Sequence, residues 1–292
     1  MTGLTTGTAA AAAPLTTTGR HRDGHHREPR DNIMTTTIET TALDKALRTL
    51  KLSGMLDTIE ARLGQARAGE LGHIEFLQVL CEDEITRRQA TAITRRLRRA
   101  RFEDQATLEG FDFTAAPDLP AAQIRDLAAL RWLHAGESVI LYGPVGVGKS
   151  HVAQALGHLA VRHGHDARFL KTSRALAHLA GGHADHTWHK RLAELTRPAV
   201  LILDDFAMRE LTPAQADDLY ELISDRAGHP LILTSNRAPQ DWYPLFPNPV
   251  VAESLLDRVI NTSHQVLMNG PSYRPRKRPG QRVPATTKDA AQ

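Results

Sequence analysis

At 292 residues the chain has room for one large domain or two small ones, and 41% apolar residues supply a real core and exclude a wholly disordered polymer. No run approaches the roughly 18 uninterrupted apolar residues of a membrane helix, and no Lys or Arg precedes the short Ala9–Ala13 run, so neither a membrane span nor a secretory leader is expected. One cysteine, Cys81, excludes an internal disulfide and a multi-cysteine zinc site and fits a reducing, cytoplasmic setting; 36 basic against 33 acidic side chains leave +3 and a pI near 9.2, which permits a polyanionic partner without demanding one.

Residues 1–40, rich in Thr, Ala, Gly, His and Arg, show no apolar period and read as a disordered tail, with Met34 as an alternative start. A small helical domain is expected over 41–110. In it Leu43, Leu47, Leu50, Met55, Ile59 and Leu63 follow a 3.6-residue period that Gly64 and Gly69 break. A second helix carries Ile74, Leu77, Cys81 and Ile85. A third, about 86–100, sets Ala90, Ile93, Leu97 and Ala100 on one face, and Arg87, Arg88, Arg95, Arg96, Arg98, Arg99 and Arg101 cover the rest. A linker follows within 111–125, with Phe111 and Phe113 as anchors.

From 126 to 273 the pattern changes. Expected strands at 139–142, 168–171, 200–204, 231–234 and 265–268 alternate with expected helices at 149–163, 174–180, 188–195, 213–226 and 252–259. Such alternation predicts an α/β fold, a parallel sheet with helices on both faces. Residues 274–292 read as a basic, irregular tail.

The strongest signal is Gly143-Pro144-Val145-Gly146-Val147-Gly148-Lys149-Ser150, which matches G-x-x-x-x-G-K-[ST] after an apolar strand and before a helix. Glycines let backbone N–H groups turn inward around an anion, and the helix N-terminus adds partial positive charge. Lys149 is placed for the β- and γ-phosphates of ATP and the Ser150 hydroxyl for Mg²⁺. A metal-binding acid should close a later strand, and Val200-Leu201-Ile202-Leu203-Asp204-Asp205 supplies it. Asp204 is assigned to Mg²⁺ and Asp205 to the attacking water, whose proton a carboxylate accepts; a helix-start cap pair is the plainer alternative for both. Asn236 ends another buried strand and would hold the water or the γ-phosphate if that strand neighbours the Asp204 strand; its alternative is a turn cap before Pro239. Arg258, on a late helix, suits developing phosphate charge on a neighbouring subunit's nucleotide, or else pairs within the chain with Asp257 or Glu253.

The order of cradle, Asp204-Asp205, Asn236, Arg258 and a final Ser272-Tyr273-Arg274 resembles the IstB-like helper ATPases of bacterial insertion sequences, which are AAA+ proteins similar to DnaC-like helicase loaders. The resemblance runs from about Thr41 to Gly280 and includes Gly148-Lys149-Ser150-His151-Val152-Ala153, Thr234-Ser235-Asn236 and Leu256-Asp257-Arg258. It implies Asn236 as sensor 1, Arg258 as the arginine finger and Arg274 as the C-terminal arginine that reads the nucleotide. Many AAA+ ATPases carry Asp-Glu where this chain has Asp204-Asp205, a base shorter by one methylene, and the span from Asn236 to Arg274 leaves no room for a separate multi-helix lid.

The resemblance and the motifs together lead to an ATP-binding and hydrolysing helper that self-assembles on duplex DNA and assists a transposase. A loader acting on a replicative helicase is the alternative. A P-loop small-molecule kinase fits the Asp204-Asp205 pair and Asn236 less well, and a binding module without turnover stays as a fourth class. The arginine-dense helix would contact nucleic acid or an acidic partner through sequence-independent, salt-sensitive contacts. His183, His186 and His189 spread around a helix with no carboxylate or thiol cluster beside them, so a solvated face is expected rather than a metal site. His151 and Cys81 read as packing residues.

Overall fold

The computed structural model describes residues 42–113 and 119–273. The chain divides into two compact units, one ending at Glu84 and the other beginning at Ile85. In the first, α1 (42–49), α2 (Ser53–Arg67) and the start of α3 (His73–Ala100) close around Leu47, Ile59 and Leu80. Gly54 lets α2 approach α3: its N–H donates to the buried Glu84 carboxylate at 2.5 Å, and a Cβ there would lie 2.8 Å from Glu84 Cα. Arg62 donates to both oxygens of Asp83 at 2.9 Å, which holds that carboxyl below the usual range.

Three expectations for this region need correcting. The first helix breaks at Lys51, whose φ is 57°, and Gly64 sits inside α2; an interior glycine costs a helix only about 1 kcal/mol, which packing overrides. The second and third helices are one element of 28 residues, since neither Gly nor Pro interrupts it. Its expected apolar stripe is not buried: Ile74, Leu77 and Ile85 are 77%, 57% and 53% exposed, and Cys81 is exposed. Leu80 and Glu84 face the small core instead.

The second unit begins well before the expected end of the helical domain at 110, because Ile93, Leu97, Ala100, Phe102, Leu108 and Phe111 pack into the main core. There follow α4 (Ala121–Leu127), α5 (Arg131–Ala135), β1 (Ser138–Tyr142), α6 (Lys149–Arg162), β2 (Ala167–Lys171), α7 (Thr172–Ala184), α8 (Trp188–Thr196), β3 (Val200–Asp204), α9 (Pro213–Asp225), β4 (Leu231–Ser235), a 3-10 segment (Pro239–Leu245), α10 (Pro249–Asn261) and β5 (Ser263–Leu267). The strand order is β2-β3-β4-β1-β5, all parallel.

β3 and β4 are buried along their whole length, which explains their unbroken apolar runs. Alternate residues point to opposite faces. Val139, Leu141, Ile202 and Ile232 join α4, α5 and α6 in one core layer. Ile140, Leu201, Leu203, Leu231 and Leu233 join α7 to α10 in the other. At the N-terminal ends of the strands Arg226, 2% exposed, donates to the carbonyls of Leu195, Thr196, Pro198 and Pro230, so one guanidinium ties the approaches to β3 and β4. Burial pushes its pKa down to about 10.

Candidate nucleotide-binding site

At the opposite ends of the strands the chain leaves β1 at Tyr142 and turns through Gly143–Ser150 into α6. Gly143 and Gly146 have φ of 139° and 88°, and a Cβ at either would lie 2.1 Å from another atom, the Met268 carbonyl oxygen or Ser272 Oγ. Only glycine fits both positions. Gly148 caps α6, so the N–H groups of the first helical turn, which have no carbonyl partner within the helix, face the loop. Lys149 is buried, and its Nζ donates to the carbonyls of Gly143 at 2.9 Å and Pro144 at 2.6 Å, folding the ammonium back over the turn.

A cavity of about 360 Å³ opens over this turn. Its walls are Val145–His151, Asp205 and Asn236, together with Gly110, Phe111, Asp112 and Leu119 from the segment before the sheet and Pro271, Ser272 and Tyr273 from the segment after β5. Both flanking segments are tied down. The Tyr273 N–H donates to Gly146 O at 2.9 Å, and His151 Nε2 lies 3.0 Å from Thr107 O, with its ring 5.4 Å from that of Phe111. His151 therefore braces the wall, in keeping with its reading as a packing residue.

β4 lies between β1 and β3, so the condition on Asn236 is met: its strand pairs with the Asp204 strand, and it stands between the cradle and the acids. The side-chain amide of Asn236 donates to Met208 Sδ at 3.2 Å rather than capping the turn before Pro239. Asp204 is 3% exposed, and its Oδ1 accepts from Thr234 Oγ1 at 2.6 Å. Asp205 turns outward with φ of 57°, its N–H donating to the same Thr234 hydroxyl at 3.0 Å. Its Oδ2 lies 3.9 Å from Lys171 Nζ. Neither acid caps a helix, since α9 is capped by Thr212 in a reciprocal pairing with Gln215.

Arg258 sits apart from this cavity. It is exposed on α10, with Nη1 3.4 Å from Ser224 Oγ and its guanidinium 5.9 Å above the Tyr220 ring of α9. Asp257 instead accepts from Asn261. Arg274 lies outside the described residues.

The family model for IstB-like ATP binding proteins matches residues 45–280. The chain belongs to the IstB-like ATP-binding family. A relative in Mycobacterium tuberculosis, named for ATP binding in an insertion sequence, is 75% identical over 241 residues, 82% of this chain and 96% of its own length. A Pseudomonas aeruginosa relative, named for ATP binding in insertion sequence IS21, is 35% identical over 80% of this chain and 88% of its own. The solved structure of DnaI is similar in fold, with a TM-score of 0.51 at 19% identity over 56% of this chain and 92% of that one.

In this IstB-like chain, Thr234 is the site residue that motif reading missed. It appears in sequence as a strand end and within the Thr234-Ser235-Asn236 phrase, with no role of its own, because its contacts depend on β4 lying beside β3. In sequence Phe111 reads as a linker anchor and Ser272-Tyr273 as part of the family resemblance, but the place of both segments on the cavity wall is not legible there, because they lie far from the cradle in sequence. His183 is not simply solvated: its Nε2 and Trp188 Nε1 both reach Oδ1 of the buried Asp218 at 2.7 Å, tying the α7–α8 turn to α9. Among the described residues no three His, Cys, Asp or Glu gather as a metal site would require. Arg96 and Arg99 lie 3.5 and 3.3 Å from Asp166, while Arg95 and Arg98 are exposed.

Proposed function

We propose that this IstB-like protein hydrolyses ATP, assembles as a homo-oligomer on duplex DNA and assists the transposase of its insertion sequence. The observation that carries the reading is the cavity itself, in which a phosphate-binding turn shares one wall with Asp205 and Asn236. A triphosphate lies on the N–H groups of the turn and on Lys149.

The donor set fits Mg²⁺, a hard cation that takes oxygen ligands: the Ser150 hydroxyl, and the second carboxylate oxygen of Asp204, whose first accepts from Thr234. Bound there, the ion would neutralise phosphate charge. Asp205 accepts the proton of the attacking water; its seat on the cavity wall, held by Thr234, suits a side chain one methylene shorter than the Glu common in AAA+ proteins. Asn236 orients the water or the γ-phosphate. Arg258 of a second copy completes the site, which its exposure and its distance from its own cavity permit. Arg274 reads the nucleotide.

The exposed arginines of α3 make the phosphodiester contacts. The insertion-sequence names of the relatives support the transposase over a helicase as partner. Duplex DNA binding is to be measured with ATP, with ADP and with neither. Lys149→Ala should lower ATP affinity on the order of 100-fold, as loss of a buried charged hydrogen-bonding group does, and should abolish the ATP dependence. Binding indifferent to nucleotide in the parent protein overturns the reading, and capture of a replicative helicase in place of the transposase assigns the protein to the loaders.

A further inference from the structure

Helix α3 is divided in chemistry. From His73 to Glu84 it carries Glu75, Glu82, Asp83 and Glu84 and no Lys or Arg; from Ile85 to Ala100 it carries six arginines and no acid. Residues 42–84 as a whole hold five basic against eight acidic side chains. That half of the helix is repelled by a phosphate backbone.

It nevertheless presents a stripe fit for contact. At 100° per residue, Ile74, Leu77 and Cys81 fall within an arc of about 60°. All three are exposed, and Ile74 is open to 77%. The hydrophobic cluster of the first unit, around Leu47, Ile59 and Leu80, does not include them. Exposed Glu75 and Glu82 line one edge of the stripe, held in place by the Gly72 N–H and by Gln78 at 2.9 Å.

We infer that this stripe is a docking face for a basic amphipathic helix of the transposase, an inference that rests on the function proposed above. Apolar anchors at i, i+3 and i+7 suit a helical partner, and the carboxylates along one edge select a partner whose apolar face is bordered on that side by Lys or Arg. A second copy of this chain fits less well: laid antiparallel on the stripe, it sets Glu75 beside Glu82 of its mate, and like charges repel. Residues 1–41 carry four arginines against four acids, so charge does not draw them to the stripe either. The same helix then offers one half to protein and the other to DNA.

The test uses the full-length protein with ATP and the transposase of its insertion sequence. Because Leu77 is exposed, Leu77→Asp leaves folding intact, and Leu77→Ser serves as a second, uncharged variant. Both should weaken transposase binding about tenfold or more, with ATP turnover and DNA affinity within about twofold of the parent. Glu75→Lys with Glu82→Lys should weaken it as well, whereas Arg95→Glu with Arg98→Glu should weaken DNA binding alone. Transposase should slow the reaction of Cys81, the chain's single thiol, with a maleimide.

If the parent binds transposase and Leu77→Asp binds it equally well, the inference fails and the proposed function stands. If the parent does not bind transposase, the proposed partner fails and the inference with it. A change of oligomeric mass in Leu77→Asp, or a Cys81 thiol shielded without transposase and opened by removing residues 1–41, assigns the stripe to another occupant and overturns the inference.

Discussion

Two parts of the second unit carry the residues assigned to hydrolysis, and they are built differently. At the ends of β3 and β4, Asp204, Asp205 and Thr234 are locked by hydrogen bonds of 2.6 and 3.0 Å on one shared hydroxyl, next to a turn that tolerates only glycine at two positions. On the face of α9 and α10, Arg258 stands in solvent with a 3.4 Å contact to Ser224 and a ring below it. Asp204 and Thr234 are buried and braced against each other, and Asp205, with its side chain half-exposed, is tied to the same hydroxyl through its backbone N–H. Arg258, proposed above to act on another molecule's nucleotide, is left outside, where its own fold asks little of it.

The sharpest way to break this contrast is at the proposed base. Asp205→Asn should leave ATP affinity within about twofold and lower turnover about 10²- to 10⁴-fold, the range of general base catalysis; single-turnover phosphate release measures it. Unchanged turnover would move the base elsewhere. Next is the brace. Thr234→Val keeps the shape of the strand but leaves the buried Asp204 short of a donor, so it should cost about 1–3 kcal/mol in urea unfolding and slow turnover about tenfold through displaced acids, with Thr234→Ser restoring both. The smallest effect belongs to the outer face. Arg258→Ala should change unfolding free energy by no more than about 0.5 kcal/mol, as exposed substitutions do, while turnover in the assembled protein falls steeply. A large stability loss would make Arg258 a structural residue of the α9–α10 contact.

The strands were legible to within two residues, because unbroken apolar runs such as Val200–Leu203 have few other ways to be buried. The cradle was legible because its chemistry is local: one loop, one lysine, one serine. Helix boundaries near the N-terminus were not. Lys51 ends a helix without any glycine or proline to announce it, and Gly64 fails to end one because tertiary packing outweighs propensity. The stripe on α3 has the period of a buried face and is exposed, since period records amphipathicity and not what covers it. Thr234 stands in a phrase of the family resemblance, but its bonds to Asp204 and Asp205 were not legible, since they exist only through the pairing of two strands 30 residues apart.

The central claim is that one molecule's triphosphate is completed by another molecule's Arg258. Mixing two inactive variants tests it directly: Lys149→Ala retains the arginine and lacks a working cradle, and Arg258→Ala retains the cradle and lacks the arginine. Turnover in the mixture well above that of either variant alone is the expected result, because each mixed contact rebuilds one whole site. A mixture no faster than its components, under conditions where the two demonstrably co-assemble, would contradict the account.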